Sequence, residues 1–129
     1  MNDIRDRSTL FLGTLAPAIL LRIESAIVAA LSLFLFGRGD ESWWLFLAWP
    51  LPDLSFAGYL AGPRVGAALY NLVHNYFGPA ILSVFGVASG SGLLVALGLV
   101  WFSHLGIDRL LGYGLKYPTA FKDTHLQRV

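Results

Sequence analysis

The sequence predicts an all-α fold: an integral-membrane four-helix bundle, antiparallel, with both termini cytoplasmic. Three observations predict it. Hydrophobic residues make up 56% of the 129 and charged residues only 13%, with a mean hydropathy of +0.63, whereas a soluble domain is about a quarter charged. Four apolar segments each approach the roughly 20 residues that a helix needs to cross hydrocarbon. The links between them are short, so consecutive helices are expected to be antiparallel neighbours.

The whole chain, 1–129, reads as one transmembrane domain. The first span covers about 10–36 and is interrupted only by Arg22 and Glu24. Arg5 and Arg7 ahead of it give it the look of a signal peptide, but the apolar run continues past Glu24, so it is read as a retained span. The second covers about 43–61, with Trp43 and Trp44 as interfacial anchors and Pro50 and Pro52 loosening the helix before Asp53. Gly62-Pro63-Arg64 is a tight turn into the third span, about 65–87, where Pro79 follows His74. A small, flexible link leads to the fourth span, about 93–111, and the tail 112–129 is expected at the membrane surface. Lipid offers backbone groups no partner, so the spans are helices and not strands.

Lys and Arg near the span ends set the orientation. Arg5, Arg7, Arg64, Arg109, Lys116, Lys122 and Arg128 fall on one side of a four-span layout, and only Arg38 on the other. A net charge of +1 argues against nucleic acid as a partner. The absence of cysteine removes thiolate nucleophiles and Cys-ligated zinc. Membrane lipid is the expected surrounding partner. Glycines spaced by four at Gly58, Gly62 and Gly66 suggest close helix contacts, with a homodimer through the Gly58/Gly62 face as an expectation.

Ionisable residues inside spans are costly and by default mark a site. Glu24 lies near the middle of the first span, Asp53 midway along the second, and His74 about nine residues into the third. His104 and Asp108, one turn apart on the fourth, share a helix face. In an antiparallel bundle these heights overlap in the cytoplasmic half. Two imidazoles with carboxylates and no sulfur suit zinc, manganese or iron, so the expected metal ligands are Asp53, His74, His104, Asp108 and Glu24. Glu24 and Asp53 are also the candidate catalytic carboxylates, Glu24 as general base. Tyr70 and Asn71 share a face with His74, and with Arg22, Arg64, Arg109 and Lys116 they are candidates for holding an anionic substrate.

Several stretches are specific enough to carry a resemblance: Pro52-Asp53-Leu54-Ser55; Gly58-Tyr59 with Gly62-Pro63-Arg64; Tyr70-Asn71 with His74; His104-x-Gly106-x-Asp108-Arg109; Gly112-Tyr113-Gly114-Leu115-Lys116-Tyr117; and Thr124-His125-Leu126. Together they resemble an uncharacterised family of small bacterial four-helix membrane proteins (domain of unknown function 4260). That likeness implies a multi-pass protein of the bacterial inner membrane and no activity. His104-Leu105-x-x-Asp108, with Pro52-Asp53, is similar to segments of membrane-bound metal-dependent hydrolases induced by DNA damage. In that comparison His74 stands in for a His-rich motif, and Ser55 occupies the place of a second acid.

Three readings of the polar centre follow. The first is a metal-dependent hydrolase acting on a lipid or phosphoester at the cytoplasmic side. The second is a proton- or ion-coupled transporter or channel subunit using the same residues as a relay. The third is a structural subunit whose polar groups only fix helix pairing.

Overall fold

The computed structural model describes residues 2–119 and 121–128, with side chains from residue 17 onward. Arg5, Arg7 and the expected start of the first span therefore lie outside the described side chains. Helix α1 runs Asn2–Arg38, α2 Pro63–Val73, α3 Phe77–Ser89 and α4 Gly92–Leu110. Two 3-10 helices, Trp43–Ala48 and Leu51–Ala61, lie between α1 and α2, and a short one, His125–Gln127, closes the chain. The described residues contain no strand, only an isolated antiparallel bridge between Lys116 and Thr124. Pro17–Arg38, Pro63–Ser89 and Gly92–Leu110 are long and apolar enough to cross a membrane. Most of their outward side chains are apolar, including Phe34, Leu72, Phe77, Ile81 and Phe85, as a lipid-facing surface requires.

Helix α4 is the centre of the packing. Its contacts with α1 step in opposite directions along the two helices: Gly106 abuts Ser25 and Ala29, while Phe36 clusters with Val100 and Ala96. On α1 the buried stripe is Ser25, Ala29, Ser32 and Phe36, spaced three and four apart. The two serines return their hydroxyls to Leu21 and Val28 carbonyls at 2.7 Å, which spares lipid an unpaired donor. The same opposed stepping holds between α3 and α4, where Gly86 meets Leu94 and Val95, and Gly78 meets Trp101.

The second expected span differs from its reading. Residues 43–61 do not form an α-helix; they wind as 3-10 helix on both sides of a turn at Trp49-Pro50. Prolines 50 and 52 withhold the N–H groups an α-helix would need there. At three residues per turn, side chains three apart eclipse one another. Leu51, Leu54, Ala57 and Leu60 form an exposed row, while Asp53, Phe56 and Tyr59 form a second, partly buried one. A tighter helix also rises faster, at about 2.0 Å per residue.

This 3-10 helix packs on α2 through glycine. A side chain at Gly58 would come within 3.2 Å of Gly66 Cα. Gly58 is thus buried against α2 within the chain, and Gly62 is the turn itself, at φ 110°. The third expected span is also interrupted. It breaks at residues 74–76 into α2 and α3, because Pro79 cannot donate to the Asn75 carbonyl four residues back.

Finally, the tail does not simply lie along the surface. Gly112, Gly114, Lys116, Thr124 and Leu126 are buried against the end of the helices.

Candidate metal centre

The break between α2 and α3 is what frees His74 for chemistry. A helix ending in an apolar setting leaves carbonyls that must find donors. Here each one does. The Tyr70 carbonyl takes the His74 backbone N–H and faces the ring Nδ1, both at 2.9 Å. Asn75 Nδ2 donates to Asn71 and Leu72, Trp101 Nε1 to Val73 at 2.8 Å, and Arg109 Nη2 to His74 at 3.4 Å. Asn75 also works forwards, its Oδ1 accepting the Phe77 N–H at the start of α3. With Nδ1–H directed at Tyr70, the His74 lone pair is on Nε2 and points into the bundle.

His104 and Asp108 reach the same point from α4, one turn apart, and Asp53 reaches it from the first turn of the second 3-10 helix. The donor atoms converge. His74 Nε2 is 3.3 Å from His104 Nε2, 3.4 Å from Asp53 Oδ1 and 3.5 Å from Asp108 Oδ2. His104 Nε2 is 3.2 Å from each of the same two oxygens. A tetrahedral ion with ligands at about 2.0–2.1 Å has ligand–ligand edges of about 3.3 Å. Five separations fall at that length, and all four donor atoms lie within 4.8 Å of one another. The group could hold a metal ion.

Burial is graded across the four. The His74 and His104 side chains are 2% and 0% exposed, those of Asp108 and Asp53 18% and 37%. The imidazoles form the floor, and the carboxylates face a cavity of 270 Å³. The His74 ring stacks on Tyr70 at 3.7 Å, and Trp49 meets His104 edge-on at 4.5 Å. His104 Nδ1 is buried without a partner. Without a metal, that arrangement suits a ring carrying its proton on Nε2, shared towards the two carboxylates and His74; ligation through Nε2 would move the proton to Nδ1.

The chain belongs to the DUF4260 family. The family model, described as Domain of unknown function (DUF4260), matches residues 18–129. No curated protein and no solved structure matches. The matched region of this DUF4260 chain contains all four converging residues and the buried tail.

The remaining residues singled out from the sequence separate. Glu24 is exposed and does not join the four; it lines a smaller depression with Tyr76, Arg109 and His125. Arg64 is exposed in the first turn of α2, about 15 Å along the helix from His74. Arg22 is exposed with its guanidinium over Gly112. Arg109 lies over the Tyr76 ring at 4.2 Å. Asn71 is committed elsewhere: its amide donates to the Lys116 carbonyl at 2.8 Å and accepts the Lys116 N–H at 2.7 Å. Tyr70 and Lys116, by contrast, line the 270 Å³ cavity together with Asp53 and Asp108.

Several contributors were not singled out from the sequence: Trp49, Asn75, Trp101, Phe56 and Phe121. Asn75 was signalled by its place four residues before Pro79. The tail that carries Phe121 is pinned further by His125, whose Nδ1 accepts the Leu115 N–H at 2.8 Å. Burial, helped by the nearby Arg109 charge, lowers His125 below the usual imidazole range. Burial also lowers Lys116 from the usual amine range, with Asp108 opposing the shift.

Proposed function

We propose that this DUF4260 chain is an integral-membrane metalloprotein whose Asp53/His74/His104/Asp108 centre hydrolyses a lipid or phosphoester at the cytoplasmic side. The observation that carries the reading is the convergence of four donor atoms, from three separate elements, at spacings matched to one small divalent cation. The nitrogen and oxygen donors suit zinc, manganese or iron. Such a cation acidifies water and polarises a carbonyl or phosphoryl oxygen. The chain supplies the rest. Tyr70 fixes the His74 tautomer through its carbonyl. The two carboxylates stand on the open side, where a substrate would approach. The positive residues around the tail, Arg22, Lys116 and Lys122, border a second depression at the same end, which supports a cytoplasmic mouth.

The test is elemental analysis of protein extracted in mild detergent, followed by hydrolysis assays in liposomes. About one equivalent of transition metal, and an activity removed by chelator, are expected. Protein that carries no such metal and gains none on incubation would overturn the reading.

One observation favours a relay instead. The 3.3 Å contact between two imidazole nitrogens also suits a shared proton, as in a proton-conducting chain. Proton flux in liposomes that chelator leaves untouched and Asp108→Asn abolishes would favour that second reading.

A further inference from the structure

Lys116 is a buried cation with nothing anionic bonded to it among the described residues. The residue is 4% exposed. Its ammonium has three donors, and one of them goes to the Phe121 carbonyl at 2.6 Å. The rest of its surroundings are aromatic faces: Phe121 at 3.7 Å, Tyr70 at 4.6 Å and Phe56 at 5.9 Å from the ring centres. Those three rings, with Asp53 and Asp108, wall the 270 Å³ cavity that Lys116 also lines. The backbone beneath it is clamped on both sides by Asn71, so the ammonium is held at one height beside the centre.

The charges of this compartment can be added. Two carboxylates cancel a divalent cation, and two neutral imidazoles add nothing. Lys116 then leaves the occupied compartment with one net positive charge in surroundings of low dielectric. A neutral carboxylic ester meets that charge only through the oxyanion that develops in its transition state, and gains little from it on binding. A phosphoester gains in full, because the group that is cleaved also carries the negative charge. Its non-ester oxygens can face the cation and the ammonium at once.

Resting on the metalloprotein reading above, we infer that the hydrolysable group is a phosphoester whose anionic oxygen is held by the Lys116 ammonium. The rival is that Lys116 is only a strap for the tail, through its bond to Phe121 and its contacts with the rings.

The experiment uses the full chain, zinc-loaded, in nanodiscs of neutral phosphatidylcholine. Zinc content is measured by elemental analysis, and binding of inorganic phosphate by calorimetry with acetate as the control anion. A second arm replaces free phosphate with phosphatidic acid in the disc. Lys116→Met is expected to keep its zinc and to weaken phosphate binding by about tenfold or more, with Lys116→Arg in between. Phosphate binding in the first arm supports a soluble phosphoester, and response to phosphatidic acid alone supports a lipid one; either supports the inference. Should Lys116→Met fail to fold, the comparison of phosphate with acetate on the unaltered protein decides. Equal binding of the two anions, binding of neither phosphate source, or unchanged phosphate binding in a zinc-replete Lys116→Met protein would overturn it. Failure of the unaltered protein to take up zinc, manganese or iron overturns the metalloprotein reading itself and is read from metal content alone.

Discussion

The Nε2 atoms of His74 and His104 lie 3.3 Å apart, and one oxygen of Asp53 and one of Asp108 each approach both within 3.5 Å. Two imidazolium rings cannot share that distance; a single proton or a single cation can. His104→Ala removes a donor common to three of the short separations. Its bound metal is expected to fall by at least about tenfold, because a lost ligand costs no less than the 10–100-fold typical of a lost outer partner. Asp53→Asn keeps the shape and removes the charge, and should weaken binding to a smaller degree. Competition against a metal-sensing dye measures both. Undiminished occupancy in His104→Ala would remove these four residues from consideration as a metal centre.

Asn75 bonds the end of one helix and the beginning of the next. Asn75→Ala leaves the Asn71 and Leu72 carbonyls and the Phe77 N–H without these partners. A destabilisation of about 1–3 kcal/mol is expected, with weaker metal binding because His74 directly precedes Asn75. Thermal unfolding with and without metal reads both effects. A variant as stable as the parent would show that water or lipid headgroups satisfy those groups equally well.

At Gly106, α1 and α4 approach closely. A side chain there would stand 2.7 Å from the Ser25 carbonyl oxygen and 2.8 Å from the Ala29 nitrogen. Neither atom can yield without moving the helix. Gly106→Val should therefore cost about 1–3 kcal/mol, and Gly106→Ala should be felt as well. Unfolding in mixed detergent micelles is the measurement. Tolerance of valine would mean that the two helices do not meet at this face.

Acid should release the tail. His125 sits below its usual value near 6.5 because it is buried and faces Arg109. Between the lowered value and about 6.5, the undocked tail binds more protons than the docked one, so docking strengthens as pH rises and levels off above that window. Protonation of Nδ1 also ends its acceptance of the Leu115 N–H. Hydrogen exchange over residues 112–127 should accelerate as pH falls from 7 to 5, once intrinsic exchange is corrected for. His125→Gln should flatten the response. A tail that becomes better protected in acid would contradict the assignment.

Much of the centre was legible. Height along a span follows from counting residues, and His104 with Asp108 needed only the spacing of four. Rotation about the helix axis does not follow from height, and Glu24 shows the cost. It lies one residue from the buried Ser25, yet that step turns it about 100° and out of the packed stripe. The stripe of Ser25, Ala29, Ser32 and Phe36 was in the sequence but was masked by the apolar character of every other face. The 3-10 winding was hidden for a similar reason. Its period of three is written in Leu51, Leu54 and Leu60, but a uniformly apolar segment invites the commoner helix.

Three of the four donors stand on α-helical segments or at their ends, and Asp53 stands on an element whose pitch is adjustable. Rewinding Leu51–Ala61 to 3.6 residues per turn would shorten it by about 5 Å and swing Asp53 out of line with Phe56 and Tyr59. The prolines oppose that change at the start of the segment, while beyond Pro52 each backbone donor only shifts its acceptor by one residue. The fourth arm of the claw is therefore mounted on a spring, the other three on posts.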